Sequence, residues 1–416
     1  MTDLTEIRQE IASLDLATPP VNVIVERAGF ARRRRNRRRT GSLAVAFALV
    51  IAVAVVVVSL PARKSPVPLH RGPVSTDVTP YVYAVDEARD AIAVFKLSAD
   101  GRLSKVKSIG LPFAPGLVVP RAGDRFLYVA PIAPESQAGS KSVYEVDLAT
   151  GKIVRKVSGP EPLGNVTASP NADTAYAYDN DIIPINFSTG AIGRSFAPSD
   201  GYYNDLAISP DGKTAVATCL GPAGGIRIID LLTHRVTKTI KLTMDSTVDG
   251  VRGFWVAMNV SFESNGTTAL VSVQRELSNN FFRAQLFVLD VRTGKVRSIV
   301  DLAAGGVGNV VVANDNRRAY VFVQDRSPGE FEVVPVELAT DRALAPINVG
   351  ATDGVLIAGV PGHDQLLTVD VEWNAAIIDQ SLDRVVARFH IPVSPANAVT
   401  LQPISVGAAS LGETSG

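Results

Sequence analysis

The sequence has 416 residues, which is long enough for a large domain with its own hydrophobic core. Its 41 Lys and Arg residues balance 41 Asp and Glu residues, and the positive excess lies at the N-terminus. The main domain therefore lacks the basic surface of a nucleic-acid-binding protein, and that class is excluded. A single cysteine excludes an intramolecular disulfide, and four histidines leave little material for a metal site. We expect neither a metal nor a cofactor.

Residues 1–41 are predicted to form a cytoplasmic segment with an arginine-rich end, because seven arginines lie between Arg32 and Arg39. Apolar residues in residues 2–16 have helical spacing. Two interpretations stay open for this stretch. Residues 1–31 dock a cytoplasmic partner, or the stretch is a marginal helix that orders only against the membrane or not at all.

The next segment predicts a transmembrane helix over residues 42–61. Leu43–Leu60 contains eighteen residues of which only Ser59 is polar. Such a helix is about 27 Å long, close to the hydrocarbon thickness of a bilayer. The preceding arginines hold the N-terminus in the cytoplasm. A cleaved signal peptide is the alternative, but the segment before the apolar core is too long and Ser59–Arg63 fits the cleavage pattern poorly.

Residues 62–79 are rich in proline and predict a semi-extended extracytoplasmic tether. The sequence thus predicts a single-pass protein of the cell membrane whose main domain lies outside the cytoplasm.

The main domain, residues 80–405, consists of repeats of about forty residues, which is typical of β-propeller blades. Asn204–Thr218 is the clearest example, with two short apolar strands around the turn Ser209–Gly212. Proline and glycine favour a tight turn at this point. One series of turns closes the first hairpin of each repeat and has six members, and a second series closes the last hairpin and has seven. We interpret Gly305–Gly308 as a turn between two blades.

The ends of the domain predict how the ring closes. The first repeat begins directly at its second strand, Tyr81–Val85, and a strand is left over at Asn397–Leu401. We expect the C-terminal strand to complete the N-terminal blade and so to remove free edges. The fold class is therefore all-β, a seven-bladed β-propeller preceded by a single transmembrane helix. Residues 406–416 are predicted to be a disordered tail.

These residues carry a resemblance to a known family. Tyr81–Val85 followed by Ala91–Phe95 resembles the repeat of the YVTN family of β-propellers. The block Ser209–Thr214 is similar to the turn shared by YVTN, lactonase-like and WD40-like propellers. The resemblance covers residues 80–404 and implies the fold, but propellers host many activities.

The long connections predict where binding takes place. Both turn series fall at one end of each blade, and the longest connections, among them residues 242–254 and 275–283, fall at the other. Aromatic and charged residues cluster there in the fourth and fifth repeats. The candidate ligand- or partner-binding residues are Tyr202, Tyr203, Asp249, Arg252, Phe254 and Trp255, accompanied by Asp245, Phe281 and Phe282. This cluster suits recognition of a protein, a peptide or a carbohydrate, or else it covers blade edges.

Three functions stay open. The first is a membrane-tethered sensor or scaffold that binds a ligand without catalysis, and no catalytic residue is predicted. The second is an enzyme of the lactonase-like or quinoprotein-like type that uses the central funnel, as the fold resemblance implies. The third is signalling through the cytoplasmic segment, a layout similar to membrane-anchored anti-sigma regulators, although residues 1–31 contain no Cys or His for a zinc motif.

Overall fold

The structure is a computed structural model that describes the predicted propeller domain with gaps. The described residues are 80–98, 100–121, 125–131, 140–159, 162–170, 174–199, 201–221, 224–242, 246–248, 251–278, 281–325, 331–351, 355–370, 372–393 and 405–408. All belong to the unit Phe47–Gly416, whereas the unit Met1–Ala46 lies outside them. The predicted cytoplasmic segment, transmembrane helix and tether also lie outside. No helix among the described residues is long and apolar enough to cross a bilayer.

The described residues form twenty-nine strands and one 3-10 turn at Glu87–Arg89. In chain order the strands are β1 (Pro80–Asp86), β2 (Ala91–Leu97), β3 (Leu103–Gly110), β4 (Pro115–Pro120), β5 (Phe126–Pro131), β6 (Ser142–Asp147), β7 (Lys152–Ser158), β8 (Asn165–Ala168), β9 (Thr174–Tyr178), β10 (Ile182–Asn186), β11 (Ala191–Ile192), β12 (Tyr202–Ile208), β13 (Thr214–Leu220), β14 (Gly225–Asp230), β15 (Arg235–Lys241), β16 (Ser246–Val248), β17 (Val251–Phe262), β18 (Thr268–Ser278), β19 (Phe281–Asp290), β20 (Lys295–Val312), β21 (Arg318–Asp325), β22 (Phe331–Glu337), β23 (Arg342–Ala343), β24 (Ile347–Asn348), β25 (Val355–Gly359), β26 (Gln365–Asp370), β27 (Asn374–Asp379), β28 (Arg384–His390) and β29 (Ser405–Ala408).

Five separate antiparallel sheets have four strands each, as expected for propeller blades. We name them in chain order as sheet I (β29-β1-β2-β3), sheet II (β4 to β7), sheet III (β8 to β11), sheet IV (β12 to β15) and sheet VI (β25 to β28). A β-propeller fold is therefore confirmed. Large apolar side chains fill the space between neighbouring sheets, where Tyr128 of sheet II stacks on Phe187 beside sheet III with ring centroids 3.9 Å apart.

The sixth sheet, sheet V, has nine strands and extends from β16 to β24. The prediction of seven separate blades is thus not confirmed, because the structure has five separate blades and this larger sheet. The nine-stranded sheet forms because β20 is one continuous strand of 18 residues. It pairs with β19 along its first part and with β21 along its second part. The predicted turn Gly305–Gly308 lies inside this strand. Gly305 has a φ of 136°, a backbone conformation open to glycine, so the strand continues where a turn was predicted.

Sheet I closes the domain. Its inner strand β29 comes from the C-terminal region and pairs antiparallel with β1, matching Tyr83 with Ser405 and Pro80 with Ala408. Closure between the two ends of the domain was predicted, but the closing strand is Ser405–Ala408 rather than Asn397–Leu401, which lies outside the described residues. Residues 406–408, predicted as part of the tail, belong to β29. Strand propensity favours the more apolar stretch Asn397–Leu401, which is why it was predicted. Pairing with β1, whose residues are all buried, determines instead that Ser405–Ala408 is the closing strand.

Contacts between successive repeats also occur at the last strand of a repeat. Lys107 of β3 donates a hydrogen bond to the carbonyl of Leu148, and Lys238 of β15 donates one to the carbonyl of Arg292. Arg297 of β20 pairs with Asp341 at 3.3 Å. In each case a long basic side chain reaches the last hairpin turn of the following repeat. We call these three interactions the outer latches.

Candidate functional site

The two predicted tyrosines lie at the start of β12 and have different environments. Tyr202 is half-buried, whereas Tyr203 is 1% exposed. The Tyr203 hydroxyl donates a hydrogen bond to the carbonyl of Ala197 and accepts one from Arg227 at 2.8 Å. Burial raises the pKa of Tyr203 to about 12, so the hydroxyl stays protonated at neutral pH. Tyr203 therefore anchors a connection, and its side chain does not border solvent.

Trp255 lies in β17 and is also only 1% exposed. It packs against Phe287 with ring centroids 5.3 Å apart, and the Arg275 guanidinium lies 5.1 Å from its ring centroid. Its indole N–H is buried and has no hydrogen-bond partner in the described part of the chain. Trp255 is thus a core residue of sheet V, which the sequence could not reveal because a buried and a surface tryptophan look alike in one sequence.

The remaining predicted residues lie in the first part of sheet V. The backbones of Arg252 and Phe254 belong to β17, and Asp249 and Asp245 lie outside the described residues. Two of the predicted long connections, residues 242–254 and 275–283, are mostly strands where the structure describes them. Residues 246–248 and 251–253 pair as a hairpin, and β18 and β19 continue pairing as far as Ser278 and Phe281. We call this pair of projecting hairpins the sheet V extension.

The sheet V extension makes these strands unusually long. The strands β17, β18 and β19 contain 12, 11 and 10 residues, whereas no strand in the five four-stranded sheets exceeds eight. Three further residues at about 3.3 Å each correspond to roughly 10 Å of projection. The projection lies at the end of the sheet opposite the Asn265–Gly266 and Thr293–Gly294 turns, which is the end predicted to bind.

A buried polar network on the inner strands was not predicted from the sequence. Asp205 of β12 accepts hydrogen bonds from the backbone N–H groups of Leu206 at 2.8 Å and Val260 at 2.9 Å. The Asn259 amide lies 3.4 Å from the same carboxylate, and the Tyr178 hydroxyl lies at 3.5 Å. Burial raises the pKa of Asp205 to about 6 in spite of these donors. The carboxylate thereby connects sheets III, IV and V.

Asn309 makes the matching contact between sheets V and VI. Its amide donates a hydrogen bond to the carbonyl of Ile357 at 2.7 Å and accepts one from the Ile357 N–H at 3.3 Å. Asp205, Asn259 and Asn309 lie at irregularities in strand pairing. Each lies five residues before a residue of the first-hairpin turn of its repeat, namely Pro210, Ser264 and Asn314. This constant offset is the sequence signal that would have found them. Because the carboxylate and amide contact backbone groups, these residues join neighbouring sheets.

Two other features bear on chemistry. No group of three or more His, Cys, Asp or Glu side chains among the described residues has an arrangement that could hold a metal ion. Cys219 is buried in sheet IV, and burial raises its pKa to about 12, so its thiol is protonated and unreactive at neutral pH.

Comparisons with known proteins agree with the fold. No protein-family model matches this chain, and no curated protein matches it. The YVTN and lactonase-like resemblance is therefore not confirmed. Solved structures are matched in large number, 1519 chains in all, so the fold alone does not select a function.

One solved structure similar to this chain is the hydrazine synthase of Kuenenia stuttgartiensis. The two share 16% sequence identity with a TM-score of 0.56, and the match covers 71% of this chain and 96% of that chain. At this identity the likeness supports the β-propeller fold and no activity.

Proposed function

We propose that this protein is a membrane-tethered, extracytoplasmic binding module whose β-propeller presents a surface to a protein, peptide or carbohydrate ligand without catalysis. The observation that carries the proposal is the sheet V extension, because strands of 10 to 12 residues occur in this sheet while the four-stranded sheets have shorter ones. Paired backbone gives a projecting surface a fixed shape, which lowers the entropy cost of binding. Tyr202, Arg252, Phe254, Phe281 and Phe282 belong to this end of the molecule.

The tether is supported by the sequence. The apolar stretch Leu43–Leu60 follows the cluster Arg32–Arg39, and proline-rich residues separate it from β1. Protease added to intact cells is expected to remove the propeller and leave a membrane-bound N-terminal fragment. Recovery of a soluble protein that begins after Ala62 would instead indicate a cleaved signal peptide.

We also propose that the ring counts seven blades, with sheet V contributing two. The inner strands support this count, because contacts connect β29, β4, β8, β12, β17, the second part of β20 and β25 in turn, and β25 contacts β29 again. An experimental structure viewed along the ring axis tests the count. Five or six inner strands around the channel would contradict it.

The binding proposal is tested with the full-length protein as bait. The double variant Tyr202→Ala, Arg252→Ala is expected to retain its circular dichroism spectrum and lose its captured ligand, because aromatic and Arg anchors often contribute about 2 kcal/mol or more each. Leu232→Ala is the control, since Leu232 is 76% exposed in a turn at the opposite end. Loss of the ligand in Leu232→Ala but not in the double variant would place binding at the turn end.

An enzyme working in the central funnel stays the alternative prediction. It differs from the binding module in one measurable respect, since an enzyme consumes the captured small molecule. Incubation of the purified protein with any captured compound, followed by mass spectrometry, distinguishes the two.

A further inference from the structure

Charged residues are distributed unevenly among the strands of the four-stranded sheets. In sheets I, II, IV and VI the last strands, β3, β7, β15 and β28, each form one edge of their sheet, and the inner strand forms the opposite edge. These four last strands contain ten Lys and Arg residues and no Asp or Glu. The other twelve strands of the same sheets contain two basic and seven acidic residues. We call β3, β7, β15 and β28 the basic edge strands.

A β-bulge in each basic edge strand changes which cations share a face. In β15 the pairing register shifts by one residue between Arg235 and Lys238. These two residues are three positions apart and would face opposite sides of a regular strand, but the bulge places both on the same side. The shift recurs in β3, β7 and β28, and in β7 it places Lys152 and Arg155 on one face. The bulges in β7 and β15 therefore bring together cations that a regular strand would separate.

Several of these cations are not neutralised by a carboxylate of the domain. Lys105, Lys152 and Arg235 are exposed, and none of them forms an ion pair with another residue that the structure describes. The carboxylates opposite two of them have other partners. Asp147 accepts a hydrogen bond from an arginine of β5's hairpin at 2.8 Å, and Asp230 accepts the backbone N–H groups of its own turn. The positive charge of the basic edge strands is therefore available to a partner.

An exposed valine accompanies the cations in each basic edge strand. Val106, Val154, Val236 and Val386 have between 36% and 49% of their surface exposed, and each belongs to a different one of the four strands. They are four of the six large apolar side chains that are exposed among the described residues. A molecule that lies along one of these edges therefore meets C–H surface next to positive charge.

The same strands limit what kind of partner can bind. Bulges and lysines oppose the pairing of another β-strand at a sheet edge, which disfavours an added peptide strand. Such protection works with charge of either sign, so it does not explain why acidic residues are missing from all four strands. The basic edge strands have no exposed Phe, Tyr or Trp on which the bases of a nucleic acid could stack. A flat bilayer can contact only one or two of the edges, because the blades of a propeller surround a common axis.

We propose that the basic edge strands bind a flexible acidic polysaccharide. Its carboxylates pair with the Lys and Arg side chains, and the C–H faces of its sugar rings contact the exposed valines. A flexible chain can follow the edges of successive sheets, so that several exposed ion pairs, each weak alone, add to a measurable affinity. This surface is separate from the sheet V extension, so binding of the polysaccharide does not depend on the proposed function.

The test measures binding of the full-length protein to immobilised polygalacturonate, a carboxylated sugar polymer, by biolayer interferometry at several salt concentrations. Saturable binding that weakens as the salt concentration rises is expected, with no binding to neutral dextran. The double variant Lys105→Gln, Arg235→Gln should weaken binding at least fivefold at low salt and make the salt dependence shallower. Lys213→Gln, Arg317→Gln is the matched control, because it removes the same charge from two exposed positions in first-hairpin turns. It should change the affinity by less than twofold.

Three results would overturn the proposal. They are equal binding to dextran and polygalacturonate, an unchanged affinity in the edge-strand double variant, and equal losses in that variant and its control. Single-stranded DNA or phosphatidylglycerol vesicles that compete better than free polygalacturonate at equal charge would overturn the assignment to a polysaccharide. Circular dichroism checks the folding of each variant. If the edge-strand double variant does not fold, Lys105→Gln alone replaces it, and a loss of at least twofold is expected.

Discussion

Asp205 shows how much one buried carboxylate contributes to the domain. Its oxygens accept hydrogen bonds from Leu206 and Val260, and it contacts residues of three sheets. Its pKa in the folded protein is about 6, whereas the ordinary value is 3.8. The folded state therefore binds the proton more tightly than the unfolded state between these two values. Stability contributed by this group falls as the pH rises from about 4 to about 6 and is then constant.

Replacing Asp205 tests this account. Asp205→Asn removes the titration and points an N–H₂ group at backbone N–H donors, so we expect a loss of about 1–3 kcal/mol at pH 7. Its melting temperature should also change less than that of the wild type between pH 4 and pH 6. Asp211→Asn, in an exposed turn, is the control. An unchanged pH dependence in Asp205→Asn would show that other groups cause it.

Tyr203 gives a second prediction at this scale. Tyr203→Phe removes the hydrogen bonds to the Ala197 carbonyl and to Arg227 while keeping the buried ring. We expect a loss of about 1–2 kcal/mol in the free energy of unfolding, measured by urea titration, with no effect on ligand capture. Loss of ligand capture without loss of stability would show that Tyr203 takes part in binding.

The candidate residues show which part of a site can be found from a single sequence. The end of the molecule at which binding is expected was predicted from the long connections. The sheet V extension lies at that end. The burial of Tyr203 and Trp255 could not be predicted, because burial depends on contacts such as Arg227 and Phe287 that come from other strands. Whether the other candidate residues bind a ligand stays a prediction.

At the scale of elements, glycines determine where strands approach closely. Gly225 begins β14 with a φ of 145°, and an added Cβ would overlap the backbone oxygen of Ile240 on β15. Gly110 ends β3 with no atom within 4 Å of an added Cβ. The tight approach at Gly225 is thus a requirement of the β14–β15 pairing.

A matched pair of alanine variants tests this requirement. Gly225→Ala is expected to destabilise the protein by more than about 2 kcal/mol, because backbone strain and overlap add. Gly110→Ala should change stability by no more than about 0.5 kcal/mol. Thermal unfolding of both variants is the measurement, and equal melting temperatures would contradict the close approach.

At the scale of the whole molecule, the regular repeats led to both a correct and an incorrect prediction. The turn Ser209–Gly212 was predicted correctly, and its details agree with the expected chemistry, since Asp211 accepts the Ser209 hydroxyl at 2.6 Å and Gly212 has a φ of 71°. Five separate blades follow from such turns. The continuity of β20 was missed, because a glycine run permits both a turn and an extended strand and only the neighbouring strands decide between them.

Closure of the ring gives the last prediction. Removing residues 405–416 deletes β29 and leaves the buried strand β1 without a partner on one side. The melting temperature of the domain should fall by several degrees, as loss of a few kcal/mol implies. Removing residues 409–416 keeps β29 and serves as the control. Identical melting temperatures for the two truncations would show that β29 does not hold the ring closed.

The same closing strand sets the order of events during synthesis. β29 follows every other described strand in the chain. Sheet I therefore takes three strands from the start of the domain, and its fourth strand is synthesised after all the other described strands. Bringing together chain segments about 320 residues apart costs roughly 4 kcal/mol more loop entropy than forming a short hairpin. The first repeat to emerge from the ribosome is therefore the last to be completed, and nascent chains that stall before Ser405 remain open to proteases and chaperones however well their later sheets have folded.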